Sequence, residues 1–325
     1  MRLFVYGCRP YDEEAIFRSL AEQYRITLGT TTEQPSVDNA ALARGYDAVS
    51  VVAVPVTAGI LTALHQNGVS LVSTRTIGYD HIDLAAARAL GITVCNAGYD
   101  PDAVADYTVM LMLMALRNEK RILQRAELHD FSMPGLMGRQ MRSCTVGIVG
   151  AGKIGARVME SIRGFDCKVL YWNRSKKSGL PGTQVPLAVL LRESDIISLH
   201  IPLTAETHHL ISREVIASMK PGVILVNTAR GGLVDTEAMI DALESGHLGG
   251  AALDVVEGEA GLYHFNKMSD QIRSRFLSIL KDMPNVIVTP HMAFYTREAV
   301  AQMAQCSIDA CRCLEAGAES PWRIC

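Results

Sequence analysis

Apolar runs and helix-like stretches alternate along this chain. Leu3-Phe4-Val5-Tyr6, Asp12 to Gln23 and Arg25 to Leu28 make a first strand, helix and strand. Ala48 to Val54 is a continuous apolar run of buried-strand length, and Pro55 stops it. Thr57 stands where an N-cap belongs for a helix through Gln66. Val69 to Ser73 and Ile92 to Cys95 predict further strands, with an Ala-rich helix from Asp83 to Leu90 between them and Gly91 as its stop. Uniformly apolar strands separated by helices predict parallel sheets covered on both faces.

Pro101 opens a long helix, because proline fits a first helical turn. From Val109 to Met114 every side chain is apolar, so that helix needs cover on all faces. Met110, Met112 and Met114 read as core or interface. A second subunit would supply part of the cover and make the protein a homodimer through this helix; burial within one chain is the alternative. Residues from Leu128 to Arg142 read as a loop. A second alternating series follows: strands at Thr145 to Val149, Lys168 to Trp172, Ile196 to His200, Val223 to Asn227, Ala251 to Val255 and Val286 to Val288, with helices from Gly152 to Arg163 and Thr236 to Ser245. A last helix is expected from about Thr296 to Ala316.

The length, 325 residues, suits two domains. A net charge of only −3 gives no basic footprint for nucleic acid. No apolar stretch is long enough to span a membrane, and the N-terminus lacks a signal-peptide pattern, so a cytoplasmic protein is expected. The eight cysteines form no C-x-x-C pair and are expected to be free thiols; Cys306 and Cys313 fall on one helix face. For His208-His209 no nearby cysteine or acid is expected to complete a site, and no metal is expected. His200, at a strand end, reads either as a packed residue or as a neighbour of an adenine.

Gly150-Ala-Gly152-Lys-Ile-Gly155 matches G-x-G-x-x-G between a strand and a helix, the context in which the pattern means a dinucleotide site. Gly150 permits the tight turn, Gly152 lets the backbone approach a pyrophosphate, and Gly155 lets helix pack on strand. The N–H groups of Lys153 and Ile154 then face the anion. An acid about 20 residues later usually takes the adenine ribose in NAD sites. Here Asn173-Arg174-Ser175-Lys176-Lys177 stands instead. Arg174 and Ser175 suit a 2′-phosphate, so NADP(H) is expected, with NAD(H) as the alternative if the basic residues are only a solvated turn.

Arg230, Asp254 with the acids after it, and His291 each follow a buried strand, where parallel sheets bind ligands. The Arg230 guanidinium suits a substrate carboxylate and polarises a carbonyl. His291 can supply the proton that accompanies a hydride, and a glutamate beside it favours the imidazolium.

These residues carry a family resemblance. Ser73-Thr-Arg-Thr-Ile77-Gly78-Tyr-Asp-His-Ile-Asp83, Tyr99-Asp-Pro-Asp-Ala-Val-Ala-Asp106, the glycine fingerprint, Asn227-Thr-Ala-Arg230-Gly, Ala251-Ala-Leu-Asp254-Val-Val-Glu-Gly-Glu259 and Thr289-Pro-His291-Met-Ala-Phe-Tyr-Thr296 resemble the D-isomer-specific 2-hydroxyacid dehydrogenases along essentially the whole chain. Tyr99-x-Pro, the insertion Leu262-Tyr-His-Phe265 and Phe-Tyr-Thr after His291 resemble the D-lactate dehydrogenase branch, its vancomycin-resistance type in particular.

The resemblance implies a catalytic trio of Arg230, Glu259 and His291. It implies substrate carboxylate binding by the N–H groups of Ile77 and Gly78, with Tyr99 lining the pocket. Ile201, Pro202, Thr207, Thr228, Ala229 and Asp254 match cofactor-contact positions. It implies pyruvate reduction to D-lactate and the D stereochemistry. Many D-lactate dehydrogenases carry a tyrosine near the end of the third strand. Val49-Ser-Val-Val52-Ala-Val54 has no aromatic there, which implies a roomier pocket.

The expected fold is α/β with two doubly wound parallel-sheet domains. A flavodoxin-like substrate domain takes residues 1–99 and 296–325, and a Rossmann dinucleotide-binding domain takes 100–295, with the active-site cleft between them. Two rival functions remain: a dehydrogenase for bulkier branched or aromatic 2-oxo acids, and a nucleotide-sensing, corepressor-like binding protein.

Overall fold

The computed structural model describes residues 1–52 and 54–325. Along the chain the elements are β1 (Arg2–Val5), α1 (Glu14–Tyr24), β2 (Thr27–Thr30), β3 (Ala48–Val51), α2 (Ala58–Gln66), β4 (Leu71–Thr74), α3 (Leu84–Ala89) and β5 (Thr93–Cys95). Then come α4 (Asp102–Leu116), α5 (Glu119–Glu127), β6 (Thr145–Val149), α6 (Lys153–Ile162), β7 (Lys168–Trp172), β8 (Thr183–Gln184), α7 (Leu187–Glu193), β9 (Ile196–Leu199), α8 (Arg213–Ala217), β10 (Val223–Asn227), α9 (Thr236–Glu244), β11 (Leu248–Leu253), α10 (Arg275–Asp282), β12 (Val286–Val288) and α11 (Arg297–Glu315). The chain divides into one unit of Met1–Asp100 with Tyr295–Cys325, and a second of Pro101–Phe294.

The first unit holds a five-stranded sheet in the order β2-β1-β3-β4-β5. Every pairing is parallel, with Phe4 opposite Val49 and Val49 opposite Val72. This is the flavodoxin-type order. β3 and β4 are wholly buried, as their apolar composition requires. Their two serines are buried too, and α11 satisfies both: Ser307 Oγ lies 2.9 Å from Ser50 Oγ and 3.1 Å from Ser73 Oγ. After α11 the chain returns to the sheet edge, where the Ile324 N–H donates to the Val94 carbonyl at 2.8 Å.

The second unit holds a seven-stranded sheet in the order β12-β11-β10-β9-β6-β7-β8, again parallel throughout. From β8 to β11 this is the dinucleotide-fold order, with its reversal between β6 and β9. α4 packs on α6 and over β10 and β11, burying Val104, Ala105, Thr108, Leu111, Met112 and Leu116. Met110 on its other side stays exposed. No helix among the described residues is long and apolar enough to cross a membrane.

Several expectations are corrected. Thr57 takes the N-cap position of α2, but its side chain makes no capping bond; Asp83 and Thr296 do cap α3 and α11, accepting from the Ala86 and Ala299 N–H groups. β3 ends at Val51, and Ala53, part of the third-strand segment read for pocket size, lies outside the described residues. The second strand starts at Thr27 because Arg25 is the left-handed cap of α1. β11 begins at Leu248, not Ala251. A Cβ on Gly249 would crowd the Gly222 carbonyl and one on Gly250 that of Asn285, so the two glycines that hide this strand by pattern are what let it fit. Cys306 is buried but Cys313 only partly so, and Cys311 is the second buried thiol of α11; all eight cysteines are free.

Candidate active site

The glycine turn joins β6 to α6 at the sheet reversal. Gly150 has φ +103° and sits against the carbonyl of His200, where a Cβ would collide. A Cβ on Gly155 would strike the Gly150 carbonyl oxygen, so helix and turn touch backbone to backbone. A Cβ on Gly152 would meet nothing within 4 Å. Gly152 is the N-cap of α6 and no side chain caps that helix. Open space over an uncapped helix start that begins Lys153-Ile154 fits a dinucleotide pyrophosphate.

Next to the turn, Asn173 is engaged by the protein itself. Its Oδ1 accepts from the Ala151 N–H at 3.1 Å, and its Nδ2 donates to the Ser175 carbonyl and hydroxyl, both at 3.0 Å. Arg174, Ser175, Lys176 and Lys177 are exposed. Glu206, in the loop after β9, has its carboxyl held below the usual range, first by the Thr204 hydroxyl and also by the Arg174 charge. In the same loop the Thr207 hydroxyl donates to the Pro202 carbonyl at 2.7 Å, and Ile201 packs on the core beside Gly150. His200 is hydrogen bonded to Ser198 at 2.9 Å, and desolvation pushes its imidazole down to about 3, so it stays neutral.

The loops after β10, β11 and β12 are tied strand to strand. Thr228, after β10, shares a 2.8 Å hydroxyl contact with Thr108 of α4. Asn227 shapes the turn that presents Arg230: its Oδ1 accepts from the Ala229 N–H and its Nδ2 donates to the Arg230 carbonyl. Arg230 is half-buried, and its Nη1 donates to the Ala229 carbonyl at 2.8 Å. Gly231 then lies against the backbone of Val256 and Glu257, where any Cβ would collide.

Asp254 is fully buried, and its carboxylate accepts from the Thr289 hydroxyl (2.6 Å) and from the Met292 and Ala293 N–H groups (2.8 Å each). It therefore shapes the turn that carries His291. The His291 N–H donates to the Asp254 carbonyl at 2.8 Å, and its backbone is left-handed, φ +55°. His291 Nδ1 lies 2.6 Å from Glu259 Oε1, while the Glu259 Oε2 accepts from the Val256 N–H at 2.9 Å. A carboxylate fixed on Nδ1 sets the orientation of the ring.

In the first unit, the loop after β4 holds Ile77 and Gly78. Their carbonyls are occupied, by Asn96 Nδ2 (2.7 Å) and the Thr76 hydroxyl (2.6 Å). No acceptor among the described residues meets their N–H groups, which suits an anionic oxygen there. Tyr99 follows β5 and is half-buried. Beneath this loop Arg75 is fully buried. It donates to Ser50 Oγ (3.0 Å), the Tyr6 carbonyl (2.9 Å) and the Gly7 carbonyl (3.1 Å), and pairs with buried Glu13 at 3.3 Å. Sequence reading passed over Arg75 and Glu13, because no local pattern joins residues so far apart.

One reading of the histidine pair is corrected. Glu257 does stand beside it, 2.7 Å from His209 Nε2, and the three groups His208, His209 and Glu257 cluster. Glu257 also accepts from the Thr236 hydroxyl at 2.6 Å. The cluster ties together the loops after β9, β10 and β11, which adjacent strands bring into contact.

Known proteins resemble this chain along nearly its whole length. A family profile described as "D-isomer specific 2-hydroxyacid dehydrogenase, NAD binding domain" matches residues 109–293. A D-specific alpha-keto acid dehydrogenase from Enterococcus faecium is 45% identical over 94% of this chain and 95% of its own. An aromatic 2-oxoacid reductase from Clostridium sporogenes is 38% identical over 95% and 94%. The crystal structure of a D-lactate dehydrogenase from Treponema pallidum superposes with a TM-score of 0.89 at 30% identity, covering all of both chains. The chain belongs to the D-isomer-specific 2-hydroxyacid dehydrogenases: it is an oxidoreductase of 2-oxo and 2-hydroxy acids with a nicotinamide-dinucleotide-binding domain.

Proposed function

We propose that the protein reduces pyruvate and related small 2-oxo acids to D-2-hydroxy acids, D-lactate first among them. The observation that carries this reading is the 2.6 Å Glu259–His291 pair at the strand ends that also present Arg230. When bound, the dinucleotide supplies the hydride. Arg230 binds the substrate carboxylate and polarises its carbonyl. His291 Nε2 donates the proton to the carbonyl oxygen, and Glu259 stabilises the imidazolium. The N–H groups of Ile77 and Gly78 hold the carboxylate, and Tyr99 lines the pocket. A second reading, turnover of bulkier 2-oxo acids, is favoured by the lack of an aromatic residue from Val49 to Val54. A panel of pyruvate, 4-methyl-2-oxopentanoate and phenylpyruvate separates the two: pyruvate should give the highest kcat/KM, and a bulky acid ahead by more than about tenfold establishes the second reading instead.

The pairing gives Glu259 a measurable role. In Glu259→Gln the carboxylate that holds His291 Nδ1 is gone, and kcat for pyruvate reduction should fall by roughly tenfold or more, since a charge-assisted hydrogen bond is worth about 1.5–3 kcal/mol. A kcat within about twofold of wild type contradicts the pairing.

For the dinucleotide we propose that NADPH serves at least as well as NADH. Gly150, Gly152, Gly155 and the N–H groups of Lys153 and Ile154 take the pyrophosphate, and Ile201, Pro202, Thr207, Thr228, Ala229 and Asp254 border the rest. The Asn173 amide is already engaged, which leaves Arg174 and the Ser175 hydroxyl to meet a 2′-phosphate. Arg174→Ala should raise KM for NADPH selectively, by roughly tenfold or more, since a charge-assisted contact is worth about 1.5–3 kcal/mol. A wild-type preference for NADH above about tenfold contradicts the reading, because one such contact is worth that much.

We further propose a homodimer. Exposed Met110 on α4 and exposed Leu123, Leu128, Phe131, Met133 and Met137 after it make an apolar surface suited to a second copy. Sedimentation as a monomer at micromolar concentration would contradict it.

A further inference from the structure

We propose that His264 is a positioning residue for His291, a role that rests on the reading of His291 as proton donor. His264 lies in the loop between β11 and α10. Its Nε2 is 2.9 Å from the His291 carbonyl oxygen. A carbonyl only accepts, so Nε2 carries the proton and donates it. The His264 ring also lies 5.8 Å from the His291 ring, and edge-on at 5.8 Å to Phe294.

The bond falls where His291 needs support. At φ +55° a histidine backbone is outside its favoured regions and persists only when neighbours hold it. Three ties do so. The His291 N–H is bound to the Asp254 carbonyl, its Nδ1 to Glu259, and its carbonyl to His264. Two of the three come from one loop, which therefore grips both the imidazole and the main chain of the same residue.

That loop is itself anchored. The Leu262 and Tyr263 N–H groups donate to the Glu259 carbonyl at 2.9 and 3.2 Å, closing a turn. Leu262 and Tyr263 pack on the core of the second unit. His264, next in sequence, is left-handed at φ +67° and turned back toward His291. Release of its hydrogen bond leaves the left-handed main chain of His291 tied through its N–H alone, so the ring follows a looser backbone. Its Nε2 is then less often aimed for proton transfer, which slows turnover without touching dinucleotide binding.

The test compares three variants in steady-state reduction of pyruvate. His264→Phe keeps a ring against Phe294 but removes the donor; its kcat should fall roughly three- to tenfold, the weight of one hydrogen bond, with KM for the dinucleotide unchanged. His264→Gln restores an N–H donor and should recover kcat to within about twofold of wild type. His291→Gln is the reference and should lose at least about 10² in kcat, the weight of a general acid. If His291→Gln fails and His264→Phe keeps kcat within about twofold of wild type, His264 has no such role, while the proton-donor reading stands. A His264→Gln kcat as low as that of His264→Phe overturns the hydrogen bond as the cause. An active His291→Gln overturns the proton-donor reading itself, and the positioning role with it.

Discussion

Arg230→Lys is expected to lower kcat/KM for pyruvate by roughly 10²–10³, or about 3–4 kcal/mol of transition-state stabilisation. Lysine keeps the charge but offers no planar fork, and it cannot hold a carboxylate while also meeting the developing oxyanion. The Asn227 bonds that form the turn, to the Ala229 N–H and the Arg230 carbonyl, use main-chain atoms and survive the substitution. Folding should therefore be intact and the loss confined to turnover. A kcat/KM within about threefold of wild type is too small for a lost transition-state contact and removes Arg230 from its role.

The second large effect concerns stability. Glu13→Gln is expected to destabilise the fold by about 3–5 kcal/mol, the cost of leaving a buried charge without its partner. Glu13 is 1% exposed and Arg75 0%. Burial pushes the Arg75 guanidinium below its ordinary value, and Glu13 is the largest influence opposing that push. Without Glu13 the guanidinium keeps only the neutral acceptors Ser50, Tyr6 and Gly7. Urea unfolding followed by circular dichroism reads the change, and a midpoint equal to wild type contradicts it. The Ile77–Gly78 loop directly follows Arg75, so pyruvate binding should weaken in parallel.

Legibility in sequence followed physical simplicity. β6, β10 and β12 fall where largely apolar runs predict them, because a strand buried on both faces leaves no other pattern. β11 was displaced by three residues, since Gly249 and Gly250 owe their fit to neighbouring backbone rather than to side chains. α5 buries no residue, so it offered no apolar stripe to read. Within the candidate site, residues that sit directly after strands were visible. Arg75 with Glu13, Glu257 with His209, and His264 beneath His291 were not, because each pairing is made by the fold between segments that carry no shared local signal.

The most direct test of the account follows the hydride and the configuration together. Pyruvate is reduced with a nicotinamide dinucleotide deuterated at both C4 positions, and the product is resolved by chiral chromatography and mass spectrometry. The expected product is D-lactate carrying one deuterium at C2. L-lactate would contradict the D configuration, and D-lactate with C2 hydrogen drawn from water would contradict direct hydride transfer to a carbonyl held by Arg230 and protonated by His291.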